Sequence, residues 1–211
     1  SQDADKTVVF GVDHQSITAT DTVISNASCT SNCLIPVAHV LHQSFGIQRG
    51  HMTTVHCYTG NQSLHDKDHP DLYRARAAGL SMVPTNSGSA EALGLVLPEL
   101  KDRITSTAVR VPTPNVSCID LVVETRAHTT PDEINTAMRA AAAGPLRGIL
   151  SITDRILVSI DLNHDAASAI LATDQTAVQQ GTLVRVLAWY DNEWAFANRM
   201  LDTVGVMAQT R

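Results

Sequence analysis

Apolar and polar positions alternate with two different periods along this chain. The run "CLIPVAHVLHQSFG" places Cys33, Leu34, Val37, Val40, Leu41 and Phe45 at helical spacing, and Gly46 is a natural stop. That pattern predicts a helix whose N-terminus lies at or near Ser28 and Cys29, with Pro36 tolerated in its early turns. "TPDEINTAMRAAAAG" predicts a second helix, with Thr130 as N-cap, Pro131 at N1, Glu133 completing a capping box and Gly144 as the stop. "NSGSAEALGLVLPEL" predicts a short helix opened by Ser or Gly. "NEWAFANRMLDTVGVMAQ" predicts a last one, with Ala197, Met200, Leu201, Val204 and Met207 or Ala208 on one face.

The strand-like runs are "KTVVFGV", "TVIS", "HMTTVHCYTG", "STAVRVPTP", "SCIDLVVETR", "RILVSIDL", "SAILA" and "TLVRVLAWYD". "TPN" reads as the turn between "STAVRVPTP" and "SCIDLVVETR". Residues 60–82 form a polar stretch that is long for a loop, a kind of segment often used for function or for an interface. Hairpins interspersed with helices predict an α+β fold, a mixed and largely antiparallel sheet covered by helices. No G-x-G-x-x-G and no P-loop sequence occurs.

Composition narrows the classes. With 211 residues and 44% apolar residues the chain can bury a sizeable core. No apolar run approaches a membrane span, and no signal peptide opens the sequence, so no membrane partner is expected. The net charge of −6 argues against nucleic acid as the main partner, yet allows a small anion held by a few local cations. Four cysteines are too few for a disulfide scaffold, and a reducing cytoplasm is the expected location.

The candidate chemistry centres on "SNASCTSNC", residues 25–33. A thiol at a helix N-terminus meets unpaired N–H groups and the positive end of the helix dipole, which favour the thiolate and can hold an oxyanion. Ser28 and Thr30 add hydroxyls beside Cys29. A Cys29–Cys33 disulfide across one helical turn has poor geometry, and a zinc site lacks a second close Cys/His pair, so no metal is expected. Cys33, Cys57 and Cys118 read as small core residues. Among nine histidines His56 stands out only weakly, at the end of a β run. Arg74, Arg76 and Arg110 are candidate anion holders, and an Arg inside a strand, as Arg110 is, needs a carboxylate or ligand partner.

Six blocks in order, "SNASCTSNC", "HCYTGNQ", "DLYRARAAG", "PTNSGSAEA", "RVPTPNVS" and "WYDNEW", resemble the catalytic half of phosphorylating glyceraldehyde-3-phosphate dehydrogenases from about Thr7 onward. The resemblance implies Cys29 as nucleophile and His56 as its base, acting on a phosphorylated aldehyde through a thioester that inorganic phosphate attacks. It implies Thr59 and Arg110, with Arg74 nearby, around the substrate phosphate. Ser28, Thr30, Ser87 and Gly88 would hold inorganic phosphate. Asn192, with Tyr190 close by, would meet the nicotinamide of NAD or NADP. A homo-oligomer, a tetramer in the intact family, is implied too.

Three departures stand out: Tyr73 where the family commonly has Arg, Glu91 where it has Lys, and Phe196 where it has Tyr. The tail resembles the sister erythrose-4-phosphate dehydrogenases, whereas "HCYTGNQ", with Thr59, is closer to the triose enzymes. The resemblance divides the chain into 1–24 as the end of a dinucleotide-binding domain, 25–190 as the catalytic domain, and 191–211 as a helix that packs on a cofactor domain. It implies little turnover by this segment alone. Two other readings stay open: a non-catalytic assembly module, and a cysteine hydrolase on Cys29 and His56 that lacks a third group to orient the histidine.

Overall fold

The computed structural model describes residues 3–210. Ser1 and Gln2 of the 1–24 segment, and Arg211 of the last, lie outside the described residues. In chain order the elements are β1 (Lys6–Thr7), β2 (Ile24–Ser25), α1 (Cys29–Phe45), β3 (Ile47–Cys57), β4 (Val83–Asn86), α2 (Ser89–Val96), β5 (Ile104–Val111), β6 (Ser117–Thr125), α3 (Pro131–Ala143), β7 (Leu150–Thr153), β8 (Ala169–Ala172), β9 (Ala177–Gln179), β10 (Leu183–Tyr190) and α4 (Trp194–Gln209).

The main sheet has eight strands in the order β4-β5-β3-β6-β10-β8-β7, with β9 pairing beside β10. Two pairs, β3–β5 and β7–β8, are parallel, and the others are antiparallel, so the fold is the expected α+β with a mixed, largely antiparallel sheet. A separate two-stranded parallel ribbon, β1–β2, carries the chain into α1.

Helix α1 lies against the sheet and fills the centre of the core. Cys33, Leu34, Ile35, Val37, Ala38 and Leu41 are fully buried against Met52, Ile119, Leu121, Val123, Val184, Val186 and Ala188. The strands show why. On β6, Ser117, Ile119, Leu121, Val123 and Thr125 face inward, while Asp120, Val122 and Glu124 are half-buried on the other face. The inward face of β3 holds Met52, Thr54 and His56, and its outward face holds His51 and Val55. Gly46 ends α1 at φ 71, where its N–H bonds the His42 carbonyl, as the sequence suggests. The capping box of α3 forms as expected between Thr130 and Glu133.

Three expectations are corrected. "KTVVFGV" forms only the two-residue β1, with Val8 and Val9 buried beyond it. "STAVRV" and "SCIDLVVET" do not form a hairpin, because β3 lies between them and takes up β5 in parallel. "RILVSIDL" is no strand: it ends in a 3-10 turn over Ser159–Leu162 and exposes Ile156, Val158 and Ile160, while the preceding Leu150–Thr153 makes the strand. Alternation of apolar residues is the same signal whether the apolar side meets a core or an unpartnered surface. Helix α4 forms as expected, burying Ala195, Arg199 and Thr203, with its apolar stripe of Met200, Leu201 and Val204 facing outward.

Candidate active site

The chain turns from β2 into α1 through Ala27, a non-glycine residue in the left-handed region at φ 56. Ser28 then caps α1, accepting from the Ser31 N–H, and Cys29 becomes the first helical residue. Asn32 stitches this entry from within, donating to the carbonyls of Asn26 and Ser28.

His56 arrives from the other side. It stands on the inward face of β3, 3% exposed, with Nε2 3.5 Å from Cys29 Sγ. The parallel register sets His56 opposite Arg110 on β5. Arg110 Nη1 lies 2.7 Å from His56 Nδ1 and 3.1 Å from the Cys57 carbonyl, which is itself 2.8 Å from Nδ1. The floor is Tyr190, whose buried hydroxyl bonds both Thr30 Oγ1 and Thr54 Oγ1 and whose ring meets the imidazole edge-on at 5.9 Å.

These neighbours set the charge states. Burial, then the Arg110 guanidinium, pulls His56 from its ordinary 6.5 to about 4, against the Cys57 carbonyl. Burial also pushes the Cys29 thiol up, outweighing the hydroxyl and N–H of Thr30 and the charge of Arg110. Burial thus works against the charged form of both partners. At this sulfur, desolvation opposes the helix-terminal N–H groups that favour the thiolate. The groups at Nδ1 are a guanidinium and a carbonyl, not the carboxylate of a hydrolase triad.

The remaining candidates divide into those near this pair and those apart from it. Asn192 is buried in a polar knot: its Oδ1 accepts from Cys57 Sγ at 3.0 Å and Ser117 Oγ at 3.2 Å, leaving its NH2 to donate elsewhere. Ser28 and Gly88 line one cavity of about 500 Å³ between the N-termini of α1 and α2, and Glu91 lines it as well. Thr30 is buried and turns its hydroxyl toward Tyr190. Thr59 bonds Asn61, Ser87 bonds Ser89, and Arg74 pairs with Asp71. Among the described residues no hydrogen bond or ion pair joins Thr59, Arg74, Ser87 or Gly88 to Cys29 or His56.

Cys33 and Cys118 are buried and all four cysteines are free, with Cys33 directed at the Ala188 and Trp189 carbonyls. No group of three or more His, Cys, Asp or Glu among the described residues is placed to hold a metal ion. No helix among the described residues is long and apolar enough to cross a membrane.

Sequence reasoning missed three positioning groups. Cys57 is no inert filler, since its thiol helps fix Asn192. Ser117 accepts the Cys57 N–H and donates to Asn192. Asp191 is wholly buried and gathers N–H groups of His164, Glu193 and Trp194 together with the Asn115 amide. Burial raises its pKa, and those bonds more than offset the rise and hold it low. A polar residue on the inward side of a strand was the available signal for Ser117.

The family model described as the C-terminal domain of glyceraldehyde 3-phosphate dehydrogenase matches residues 28–192. A glyceraldehyde-3-phosphate dehydrogenase of Cereibacter sphaeroides is 57% identical over 206 residues, covering 98% of this chain and 62% of the relative. That of Xanthobacter flavus is 56% identical with the same coverage, and that of Zymomonas mobilis 52% identical over 99% of this chain and 62% of its own length. The chain thus spans 62% of the length of these relatives. With the family model matching most of the sequence around an assembled Cys29–His56 pair, the chain belongs to the glyceraldehyde 3-phosphate dehydrogenase family, as its C-terminal domain.

Proposed function

We propose that this chain is the catalytic part of a phosphorylating aldehyde dehydrogenase that oxidises glyceraldehyde 3-phosphate to 1,3-bisphosphoglycerate. The observation that carries the reading is the thiol at the first turn of α1 with an imidazole 3.5 Å away. Cys29 adds to the aldehyde carbon while His56 takes the thiol proton and returns it to the new alkoxide oxygen, giving a hemithioacetal. His56 then accepts the hydroxyl proton of that adduct as the carbon is oxidised to a thioester. Inorganic phosphate attacks the thioester carbon, the carbon–sulfur bond breaks, and the acyl phosphate leaves Cys29 free.

Thr59, Arg110 and Arg74 hold the substrate phosphate in this reading, and Ser28, Thr30, Ser87 and Gly88 the attacking phosphate. The cavity between two helix N-termini suits an anion, and Glu91 on its wall weakens it. NAD or NADP, when bound, supplies the hydride acceptor. Asn192 fits a nicotinamide carboxamide because both donors inside the knot engage its Oδ1 and its NH2 is left over. Tyr190 acts from beneath, through Thr30 and His56.

Residues 1–24 end a nucleotide-binding domain, 25–190 form the catalytic domain, and the outward stripe of α4 docks on the cofactor domain. This segment alone therefore turns over little. The exposed Leu64, Leu72, Leu80 and Met82 of the long loop suit a homo-oligomer, a tetramer, and four free thiols suit the cytoplasm. Thr59 favours the triose over erythrose 4-phosphate.

The test is protection of Cys29 from iodoacetamide, mapped by peptide mass spectrometry. Glyceraldehyde 3-phosphate should protect Cys29 at concentrations where unphosphorylated glyceraldehyde does not. Equal protection by both, or protection of another cysteine, overturns the reading, and Cys29→Ser must lose the fast-labelling site.

A further inference from the structure

Asn26 leads into the turn that presents Cys29, and it is gripped from two directions. From within α1, the Asn32 NH2 donates to the Asn26 carbonyl at 2.7 Å and to the Ser28 carbonyl at 2.8 Å. From α4, Thr203 sets its Oγ1 2.7 Å from Asn26 Oδ1. The two carbonyls that Asn32 holds bracket Ala27, the non-glycine residue at φ 56. An L-residue in that region is strained, and it stays there only where its surroundings over-determine the backbone.

Both grips are specific. Asn32 is buried, both of its donors go to the turn, and its Oδ1 has no hydrogen-bond partner among the described residues. Turning the amide over would aim Oδ1 at two carbonyl oxygens, so the side chain has one orientation, and it serves the turn at the cost of its own acceptor. Thr203 is buried as well, and its hydroxyl also lies 2.9 Å from the Arg199 carbonyl of its own helix. With one proton and two lone pairs it can donate to Asn26 Oδ1, or donate to that carbonyl and accept from the Asn26 NH2, so the link survives either orientation of the Asn26 amide.

Helix α4 can pass on a position because polar contacts hold it in place. Asp191 accepts the Glu193 and Trp194 N–H groups at its start, and Arg199 donates to the Gly148 carbonyl and pairs with Asp202. Thr203 follows one turn after Arg199. Cys29 in turn takes its surroundings from the start of α1, since the Thr30 hydroxyl and the N–H groups of Thr30 and Cys29 bond its sulfur. Those groups move with the turn.

We propose that Thr203 and Asn32 are positioning residues that clamp Asn26 between them, so that the seating of α4 fixes where α1 begins and where Cys29 stands to meet a substrate carbon. The proposal rests on the reading of Cys29 as the nucleophile. Among the described residues no hydrogen bond joins Thr203 or Asn32 directly to the Cys29 thiol, so both act through Asn26 and the turn. A small displacement of a nucleophile by a change made elsewhere is enough to slow its reaction severalfold or more.

The experiment measures the rate of Cys29 alkylation by iodoacetamide at pH 7.5 in the parent chain, Thr203→Val, Thr203→Ser, Asn26→Ala and the Thr203→Val/Asn26→Ala double variant. Thr203→Val keeps the side-chain shape and removes the hydroxyl. It should slow alkylation by about threefold or more, because the sulfur loses its place against the N–H groups at the start of α1. Thr203→Ser keeps the hydroxyl and should react as the parent does. The double variant should be no slower than the slower single variant, within about 1.5-fold, because both changes cut one link. Thr130→Ala, which weakens α3 far from the turn, is the control for lost stability and should leave the rate unchanged.

An unchanged rate in Thr203→Val overturns the proposal, and so does a faster one, which would mean that the turn shields Cys29 rather than places it. Effects of the two single variants that multiply in the double variant overturn it as well, since they would be independent losses of packing. Should Thr203→Val not fold, Asn26→Ala removes the same contact from the other side, and a parent-like rate there overturns the clamp. Protection by glyceraldehyde 3-phosphate is read separately on the parent chain. If it is absent while Thr203→Val is slow, the catalytic reading falls and the clamp stands. If it is present while Thr203→Val matches the parent, the clamp falls and the catalytic reading stands.

Discussion

His56 should weaken this fold in acid, and by a measurable amount. It is buried and neutral, and its pKa falls from 6.5 to about 4 on folding, through burial first and Arg110 second. Between those values the unfolded chain binds a proton that the folded chain refuses. Stability from this group is therefore complete above pH ~6.5 and is lost as pH falls toward ~4, where the folded ring also protonates and the loss stops. At about 1.36 kcal/mol per pH unit, the whole interval is worth ~3 kcal/mol, and the part between pH 7 and pH 4.5 ~2 kcal/mol. Carboxylates also lose stability in acid, so the assay is a difference: urea unfolding of the parent and of His56→Asn at both pH values. The parent should lose ~2 kcal/mol more than the variant over that interval. Equal losses, within about 0.5 kcal/mol, would refute the picture of a neutral imidazole held between a half-buried thiol and a guanidinium.

Three further outcomes are expected. Glu91 shares a cavity wall with Ser28 and Gly88, so Glu91→Gln should tighten binding of inorganic phosphate, by about threefold at low ionic strength, with the gain fading in high salt; calorimetric titration checks it. Thr130→Ala removes the hydroxyl half of the α3 capping box and should cost ~1 kcal/mol in chemical denaturation, with no change in Cys29 labelling. Gly50→Ala would place a Cβ 2.6 Å from the Val122 carbonyl oxygen and 2.6 Å from Val123 Cγ1, both in the centre of the sheet. It should cost about 1–3 kcal/mol or more, and a thermal midpoint equal to the parent's would contradict the closeness of β3 and β6 there.

The local rules served where an element is decided by its own residues. Ser28 before the helical period, Gly46 after it and Thr130 with Glu133 are signals carried by the segments they delimit, and each formed as expected. Pairing partners are not such a signal. The run 104–125 reads as two strands and a turn, and nothing in it reveals that β3, some fifty residues earlier, lies between them. The outward stripe of α4 shows the same gap from the other side, since period alone cannot distinguish a face that meets this chain's core from one that meets something else. At the candidate site, Cys29 was legible from helix position, and Arg110 from the oddity of a cation in a strand. The contact of Arg110 with His56 was not legible, because it depends on a parallel register that is set far from both residues.

That register has a consequence for which changes of length the chain can bear. Gly50 through Cys57 run beside Ile104 through Val111 residue for residue. One codon inserted between Gly50 and Val55 would swap the faces of β3 downstream, sending the imidazole outward and bringing Val55's position inward. Two codons would restore the face but slide the imidazole along the strand by about 6.6 Å, past any reach of Arg110. Substitutions on the outward side of β3, at His51, Thr53 or Val55, leave this alignment alone. Insertions and deletions should therefore be absent from this short stretch of the gene and collect in the segment encoding residues 60–82, where no strand keeps count.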